Sequence, residues 1–191
     1  MSSGRPACAP VGARDYSAAQ RRTIDAALDL FAQHGVHGTS LQMIADATGV
    51  TKAAVYHQFH TKEAIVIAAV EAELSKLEGA LRGAEAGGPG SVRTLLEQVI
   101  DLAVGQRRMV STTLHDPVVT RLLAEHQPFR DYMSRLFRTL LGPEPDPSTR
   151  IRVAMVMSAI GGVVTHPLIA GLDVAEVRRD LLDLSLEFLE G

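Results

Sequence analysis

Apolar side chains recur every three or four positions along most of the chain, between breaks that are rich in glycine and proline. This spacing places the apolar side chains on one face of a helix, and no segment alternates as a strand does. The pattern predicts helices near residues 17–34, 40–48, 52–59, 61–81, 91–104, 117–125, 128–141, 148–164 and 174–190, with a shorter segment at 107–114. We therefore expect an all-α protein with about nine helices.

A stretch near the N-terminus contains two short predicted helices joined by a glycine turn. Thr39 can cap the first helix, and Gln42, three positions later, completes a capping box. Gly49 can adopt the left-handed conformation that ends this helix, and Thr51 offers a cap for the next one. Ala45 is the small residue that two steeply crossing helices need where they approach most closely. The stretch therefore predicts a helix-turn-helix.

Over about residues 17–74 the chain resembles the tetracycline-repressor-like (TetR) family of bacterial transcriptional regulators. The residues that carry the resemblance are Gly38, Thr39, Ser40, Ile44, Ala45, Gly49, Val50, Thr51, Tyr56, Phe59, Lys62 and Glu63. Ala53 stands where the family often has glycine, and Gln58 stands where it often has an aromatic residue or histidine. The base preference of a relative therefore cannot be transferred to this chain.

This resemblance divides the chain into three expected parts. They are a disordered N-terminal arm at 1–15, a three-helix helix-turn-helix DNA-binding domain at 16–62, and a larger helical effector-binding and dimerisation domain at 63–191. The resemblance implies a transcriptional regulator, by family default a repressor, that binds a palindromic DNA operator as a homodimer. A small apolar or amphipathic effector is expected to release it from the DNA.

The distribution of charge agrees with such a division. The whole chain has a formal net charge of −3, but residues 1–62 carry six Lys or Arg and only four Asp or Glu. A positive N-terminal part and a negative remainder orient a protein on anionic DNA. Ordinary solvated surface charge is the alternative explanation.

The predicted DNA-contacting residues cap or face outward from the two short helices. Lys52 can donate to guanine edges or to phosphate, and Ala53 and Ala54 leave room for a thymine methyl group. The family analogy adds phosphate contacts by Tyr56, Thr39 and Lys62, although Thr39 and Thr51 would cap helices in any protein. The full predicted set is Thr39, Ser40, Thr51, Lys52, Ala53, Ala54, Tyr56, His57 and Lys62.

The last two long helices carry the predicted dimer interface. Small residues stand among large apolar ones on the first of them, which lets helices approach closely, and leucines line the second. The resemblance implies that these faces pair with a second copy, and an intrachain core is the alternative. The predicted interface is Ile151, Ala154, Met155, Ser158, Ala159, Gly162, Leu182, Leu186 and Leu189.

Methionines and aromatic residues in the second half of the chain can line an adaptable cavity for an apolar or amphipathic ligand. Two histidines are the candidate polar anchors, and Arg107 or Arg108 could hold a carboxylate. The predicted effector pocket is Met109, His115, Phe129, Tyr132, Met133, Phe137, Met155 and His166. Ordinary core filling is the alternative for each of them.

Other functional classes receive less support from the sequence. The chain lacks a phosphate-binding glycine loop, a nucleophile elbow and a recognisable catalytic triad signature, so we do not expect an enzyme. We expect no cofactor and no metal. The open alternative is a metal-responsive regulator that uses histidines, drawn from the pairs His34 with His37 and His57 with His60, or from Asp116 near His115 and His126.

No apolar run is long enough to span a bilayer, and the N-terminus lacks the apolar core of a signal peptide. We therefore expect no membrane partner and a cytoplasmic location. The single Cys8 excludes an intrachain disulfide.

Overall fold

The computed structural model describes residues 16–190, apart from the side chains of Thr113, Leu114 and Glu190. The expected N-terminal arm at 1–15, with Cys8, lies outside the described residues. Residues 16–190 form ten α-helices and no strand, which confirms the all-α prediction. The helices are α1 Ala18–Gly38, α2 Leu41–Thr48, α3 Lys52–Gln58, α4 Lys62–Glu85, α5 Ser91–Gly105, α6 Arg107–His115, α7 Pro117–Glu125, α8 Gln127–Leu141, α9 Pro147–Val163 and α10 Val174–Glu190.

Local capping explains where most of these helices begin. Ser17 starts α1 with a complete capping box, since its hydroxyl accepts from the backbone N–H of Gln20 and the Gln20 side chain accepts from the backbone N–H of Ser17. Thr61 caps α4 by accepting a hydrogen bond from the N–H of Ala64 at 3.0 Å. Asp146 caps α9, where Pro147 occupies the first helical position.

Several predicted helix limits shift. The helix α4 continues to Glu85 rather than ending at Leu81, and α8 begins one residue before Pro128. A short 3₁₀ helix at Pro167–Ile169 lies between α9 and α10. Gly35 interrupts α1 with a φ of 69° and a ψ of 166°, and one further turn then reaches Gly38.

Two clusters of buried apolar side chains hold the helices together. The first cluster joins α1–α3 to the first half of α4 and to residues of α6 and α7, such as Met109, Val119 and Leu123. The second joins the rest of α4 to α5, α8, α9 and α10 around Tyr132 and Leu136. We call α1–α3 the head. Because the first cluster continues past residue 62, the head shares its core with α4, α6 and α7.

Polar contacts add to the packing of α4. Glu78 on α4 is 6% exposed and accepts hydrogen bonds from Arg135 on α8 at 2.9 and 3.1 Å. The same guanidinium donates to Glu85 at 2.7 and 2.8 Å, and this hydrogen bond holds the pKa of Glu85 below its usual value. These bonds join the C-terminal half of α4 to α8, whereas the head packs on its N-terminal half.

Candidate nucleic-acid interface and effector cavity

The first helix of the helix-turn-helix begins one residue later than its predicted cap. Ser40 is the N-cap of α2, and its hydroxyl accepts from the N–H of Met43 at 3.2 Å. The predicted cap at Thr39 and its capping box are therefore wrong. The Gln42 side chain instead donates to Asp46 at 2.7 Å. The Thr39 hydroxyl donates to the Gly35 carbonyl at 2.9 Å, so it is committed to the end of α1.

The turn between α2 and α3 has the predicted construction. Ala45 is fully buried beside Ile44, as a close helix crossing requires. Gly49 has a φ of 69° and a ψ of 27°, a left-handed conformation that most side chains disfavour. Thr51 then caps α3, and its hydroxyl accepts from the N–H of Ala54 at 3.2 Å. These contacts set the angle at which α3 leaves the turn.

The helix α3 has one buried and one exposed side. Val55 is fully buried, whereas Lys52, Ala53 and His57 are exposed and Ala54 is half-buried. The Tyr56 ring is 53% exposed and packs edge-on against the ring of His60, with 4.9 Å between centroids. The exposed face therefore carries an ammonium, a phenol and imidazoles that no buried contact immobilises.

Two of the predicted phosphate contacts have other roles in this structure. Thr39 is 2% exposed, and the Lys62 ammonium donates to the carbonyl oxygens of His37 and Thr39 at 3.1 and 3.0 Å. A cation beside the last carbonyls of a helix is favourable, because the C-terminal end carries partial negative charge. Lys62 thus ties the start of α4 to the end of α1 and positions Ser40 between them.

Sequence reasoning missed the role of Gln58. Its side-chain carbonyl accepts a hydrogen bond at 3.0 Å from the hydroxyl of Thr23, a residue of α1 that is 2% exposed. This bond fastens the end of α3 to α1. The sequence feature that could have indicated this role is a polar residue on the inner side of the predicted recognition helix.

Exposed apolar side chains collect on α9 and α10. Ile151 is 60% and Met155 52% exposed on α9, and Leu184 is 63% and Phe188 43% exposed on α10. A groove of about 710 Å³ runs between the two helices over Met155, with Ala159 and Phe188 among its walls. Ala154, Ser158 and Gly162 are also exposed on α9. Patches of this kind on a protein surface mark interaction sites.

The predicted leucines of α10 need a correction. Leu182, Leu186 and Leu189 are only partly exposed and pack against the second buried cluster of their own chain. They lie on the face of α10 that points towards the core. Apolar residues cover more than one face of α10, and the sequence alone did not show which face points inward. The outward positions that accompany α9 are Leu184 and Phe188.

An apolar cavity of about 160 Å³ lies among α4, α5, α6, α8 and α9. Met109 and Phe129, two predicted pocket residues, line it together with Val70, Glu73, Leu74, Leu102, Val110 and Gly161. A second, more polar groove of about 280 Å³ shares Glu73 and Leu102 with it. The cavity and the groove thus meet along one side of α4.

The structure does not bring the remaining pocket candidates to this cavity. Tyr132 and Met133 belong to the second buried cluster; burial raises the pKa of Tyr132, whose hydroxyl has no hydrogen-bond partner among the described residues. Phe137 is half-buried elsewhere on α8, and Met155 lies in the exposed groove. His115 and His166 are exposed, and their Nδ1 atoms contact nearby backbone.

Among the residues proposed for ligands or metals, Arg108 and His126 have partners on other helices. Arg108 forms an ion pair with Asp29 on α1. His126 caps α8 through Nδ1, and its Nε2 lies 3.4 Å from Glu71 on α4. Among the side chains described within residues 16–190, no three His, Cys, Asp or Glu residues are grouped so as to hold a metal ion. No helix in that range is long and apolar enough to cross a membrane.

The geometry defines a class: a helix-turn-helix with an exposed cationic second helix, set on a larger all-helical body. Comparison with known proteins matches the N-terminal part of the chain to one family. Residues 24–69 match the model of the bacterial regulatory proteins of the tetR family. The transcriptional regulator RutR of Escherichia coli (strain K12) is 46% identical over 55 residues, which cover 29% of this chain and 26% of RutR. The family model thus covers most of the head and the start of α4, and the chain spans about a quarter of the length of RutR.

Solved structures extend the likeness to the whole fold. A TetR-like transcriptional regulator from Rhodococcus sp. RHA1 has a TM-score of 0.66 at 22% identity and covers 93% of this chain and 99% of its own. SmeT in complex with triclosan has a TM-score of 0.64 at 26% identity, with coverages of 90% and 91%. The family match thus covers residues 24–69, and the described fold as a whole is similar to that of TetR-like regulators.

Proposed function

We propose that this protein is a ligand-responsive repressor that binds an inverted-repeat DNA operator as a homodimer. The observation that carries the proposal is the exposed face of α3. Lys52, Tyr56 and His57 stand outward on a helix whose angle is set by Ala45 and Gly49. A helix presented in this way fits the major groove, where side chains read base edges.

The contact set on DNA is smaller than the sequence suggested. Ser40 and Thr51 cap helices whose free N–H groups point outward and favour phosphate. Lys52, Ala53, Ala54, Tyr56 and His57 supply the remaining contacts. Thr39 and Lys62 act by positioning, since their side chains are engaged with carbonyl oxygens at the end of α1.

The exposed face of α9 and α10 supports the dimer. It carries large apolar side chains beside small ones, a combination that allows two helix pairs to pack closely. Its core is Ile151, Ala154, Met155, Ser158, Ala159, Gly162, Leu184 and Phe188. A twofold dimer would place two α3 helices about one turn of DNA apart, roughly 34 Å, or a low multiple of this.

The small apolar cavity supports release by an effector, and the solved relative SmeT is titled as a complex with triclosan. Met109 lines the cavity and also belongs to the buried cluster shared with the head. A ligand that displaces Met109 therefore disturbs the packing of α1. Release requires that the ligand prefer the DNA-incompetent arrangement, typically by about 1–3 kcal/mol.

The test is operator affinity of point variants, measured by fluorescence anisotropy at a stated salt concentration. Lys52→Ala and Tyr56→Phe should each weaken binding several-fold and leave the dimer intact, because both side chains are exposed and hold no other element. Arg93→Ala is the matched control, since Arg93 is an exposed cation on α5, a helix that packs in the second buried cluster and not with the head. Unchanged affinity in both head variants would contradict the assignment of the α3 face.

A further inference from the structure

We propose that the effector is a small amphiphile with a protonated amine, which inserts its apolar part into the cavity of α4–α9 and pairs its amine with Glu73. This inference rests on the proposed function, because it names the ligand class of the same site. It is carried by the shape of the cavity and its neighbouring groove, and by the chemistry of their walls.

The two spaces together have the size of a ligand site, whereas neither has it alone. Ligand pockets generally measure about 300–1,000 Å³. The inner cavity is about 160 Å³ and the adjoining groove about 280 Å³. Because Glu73 and Leu102 line both, a ligand that occupies both must pass the Glu73 side chain.

Apart from Glu73, the walls of the inner cavity are apolar. They are aliphatic side chains with the Phe129 ring and the Met109 thioether. A polar group placed among these walls and away from Glu73 would lose its hydrogen bonds to water without finding a partner, which is costly. Methionine and an aromatic ring adapt to hydrocarbon of varied shape. The deep end of the ligand is therefore apolar.

The outer groove determines the charge of the other end. Its polar side chains are Glu73, Lys76, Gln98, Asp101 and Gln106. Asp101 is paired with Arg178 of α10, which leaves Glu73 as the carboxylate that borders the inner cavity. The Glu73 side chain is 15% exposed, so a cation that reaches it from the groove is partly shielded from water.

The present partners of Glu73 can be displaced. Lys76 donates to Glu73 Oε1 at 2.6 Å, but its own side chain is 61% exposed, and exposed ion pairs contribute little stability. Gln106 donates to the same oxygen at a long 3.5 Å. A ligand amine can take the place of Lys76 while its hydrocarbon fills the cavity. A ligand carboxylate at the same position would face the carboxylate of Glu73.

The experiment uses three probes that share a benzene ring and differ in the polar end: phenethylamine, phenethyl alcohol and phenylpropionate. Their dissociation constants are measured by calorimetry on the purified full chain near neutral pH. The amine should bind about tenfold more tightly than the carboxylate, the effect of one charge-assisted hydrogen bond. Equal or tighter binding of phenylpropionate, or no binding of the amine at millimolar concentration, would overturn the proposal.

Two neighbouring substitutions should act in opposite directions. Glu73→Gln should remove the preference for the amine, whereas Lys76→Gln should increase amine affinity because the competing ammonium is gone. Circular dichroism and operator binding without probe confirm that each variant is folded. A preference that survives Glu73→Gln would overturn the inference.

Operator binding separates this inference from the proposed function. If the wild-type chain binds an inverted repeat but shows no preference for the amine, the ligand class is wrong and the regulator assignment stands. If the chain binds no specific DNA, the proposed function itself is contradicted.

Discussion

The carboxylate of Asp116 accepts a hydrogen bond from the backbone N–H of Val36 at 2.9 Å, although the two residues are 80 positions apart. Its other oxygen accepts from the N–H of Val118 at 2.9 Å and caps α7. The Val36 N–H is free to make this contact because Gly35 breaks the regular helix just before it. One side chain thus joins the end of α1 to the junction of α6 and α7.

Asp116→Ala should destabilise the protein by about 2–3 kcal/mol, through loss of a helix cap and an unpaired N–H at Val36, which is 1% exposed. Asp116→Asn retains one acceptor oxygen and should lose about half as much. Urea unfolding followed by circular dichroism measures both. No measurable loss of stability in the Ala variant would contradict the role of the double contact.

The same carboxylate makes stability depend on pH. Burial raises the pKa of Asp116, but hydrogen bonds from the N–H groups of Val36 and Val118 outweigh burial and hold the pKa below its ordinary value of 3.8. The unfolded chain therefore binds this proton at higher pH than the folded chain does. The stabilisation is complete above about pH 5 and is lost as the pH falls through the folded pKa.

Comparison of the wild type with Asp116→Asn isolates this titration. The difference in their free energies of unfolding should be constant near neutral pH and should shrink below about pH 4. A difference that stays constant down to about pH 3 would mean that Asp116 titrates alike in both states.

Two glycines should respond in opposite ways to substitution by alanine. At Gly35 the φ of 69° and ψ of 166° are strained for any side chain, so Gly35→Ala should cost about 1–3 kcal/mol. A Cβ at Gly79, within α4, meets no atom within 4 Å, so Gly79→Ala should stabilise by about 0.5–1 kcal/mol. Thermal unfolding measures the stability of both variants. Shifts of the same sign in their unfolding temperatures would contradict this explanation.

The dimer prediction concerns the outward face of α9 and α10. A double variant, Met155→Glu with Leu184→Glu, should convert the protein into a monomer, because both side chains are more than half exposed in one chain and would bring charge into the interface. Val92→Glu on α5 is the control for an exposed apolar position. Sedimentation velocity measures the mass. A double variant that stays dimeric would place the interface elsewhere.

The helix periodicity and the turn chemistry of the head could be predicted from the sequence, because these features are local. Gly49, Thr51 and Ala45 act within a few residues of themselves, and their predicted roles hold. The choice between Thr39 and Ser40 as the cap failed because the Thr39 hydroxyl binds the Gly35 carbonyl, four residues earlier at the end of α1. Lys62 also donates to the Thr39 carbonyl from α4, and no local pattern contains that second contact.

The cavity could be predicted only in part, because its walls come from helices that are distant in the chain. Methionine and aromatic content predicted an adaptable effector site, and Met109 and Phe129 line the small apolar cavity that we propose for it. Which face of α8 or α10 turns inward depends on helix crossings that a single chain's periodicity does not encode. Tyr132 and the leucines of α10 consequently lie in the core rather than in a site.

The central claim is sequence-specific recognition of DNA by a dimer. The most direct test is selection of sheared genomic DNA from the source organism on the purified protein at near-physiological salt, followed by sequencing of the retained fragments. We predict a small number of sites that share an inverted repeat with half-sites about one helical turn apart, or a low multiple of it. Retention without a common sequence, or no retention, would contradict the account.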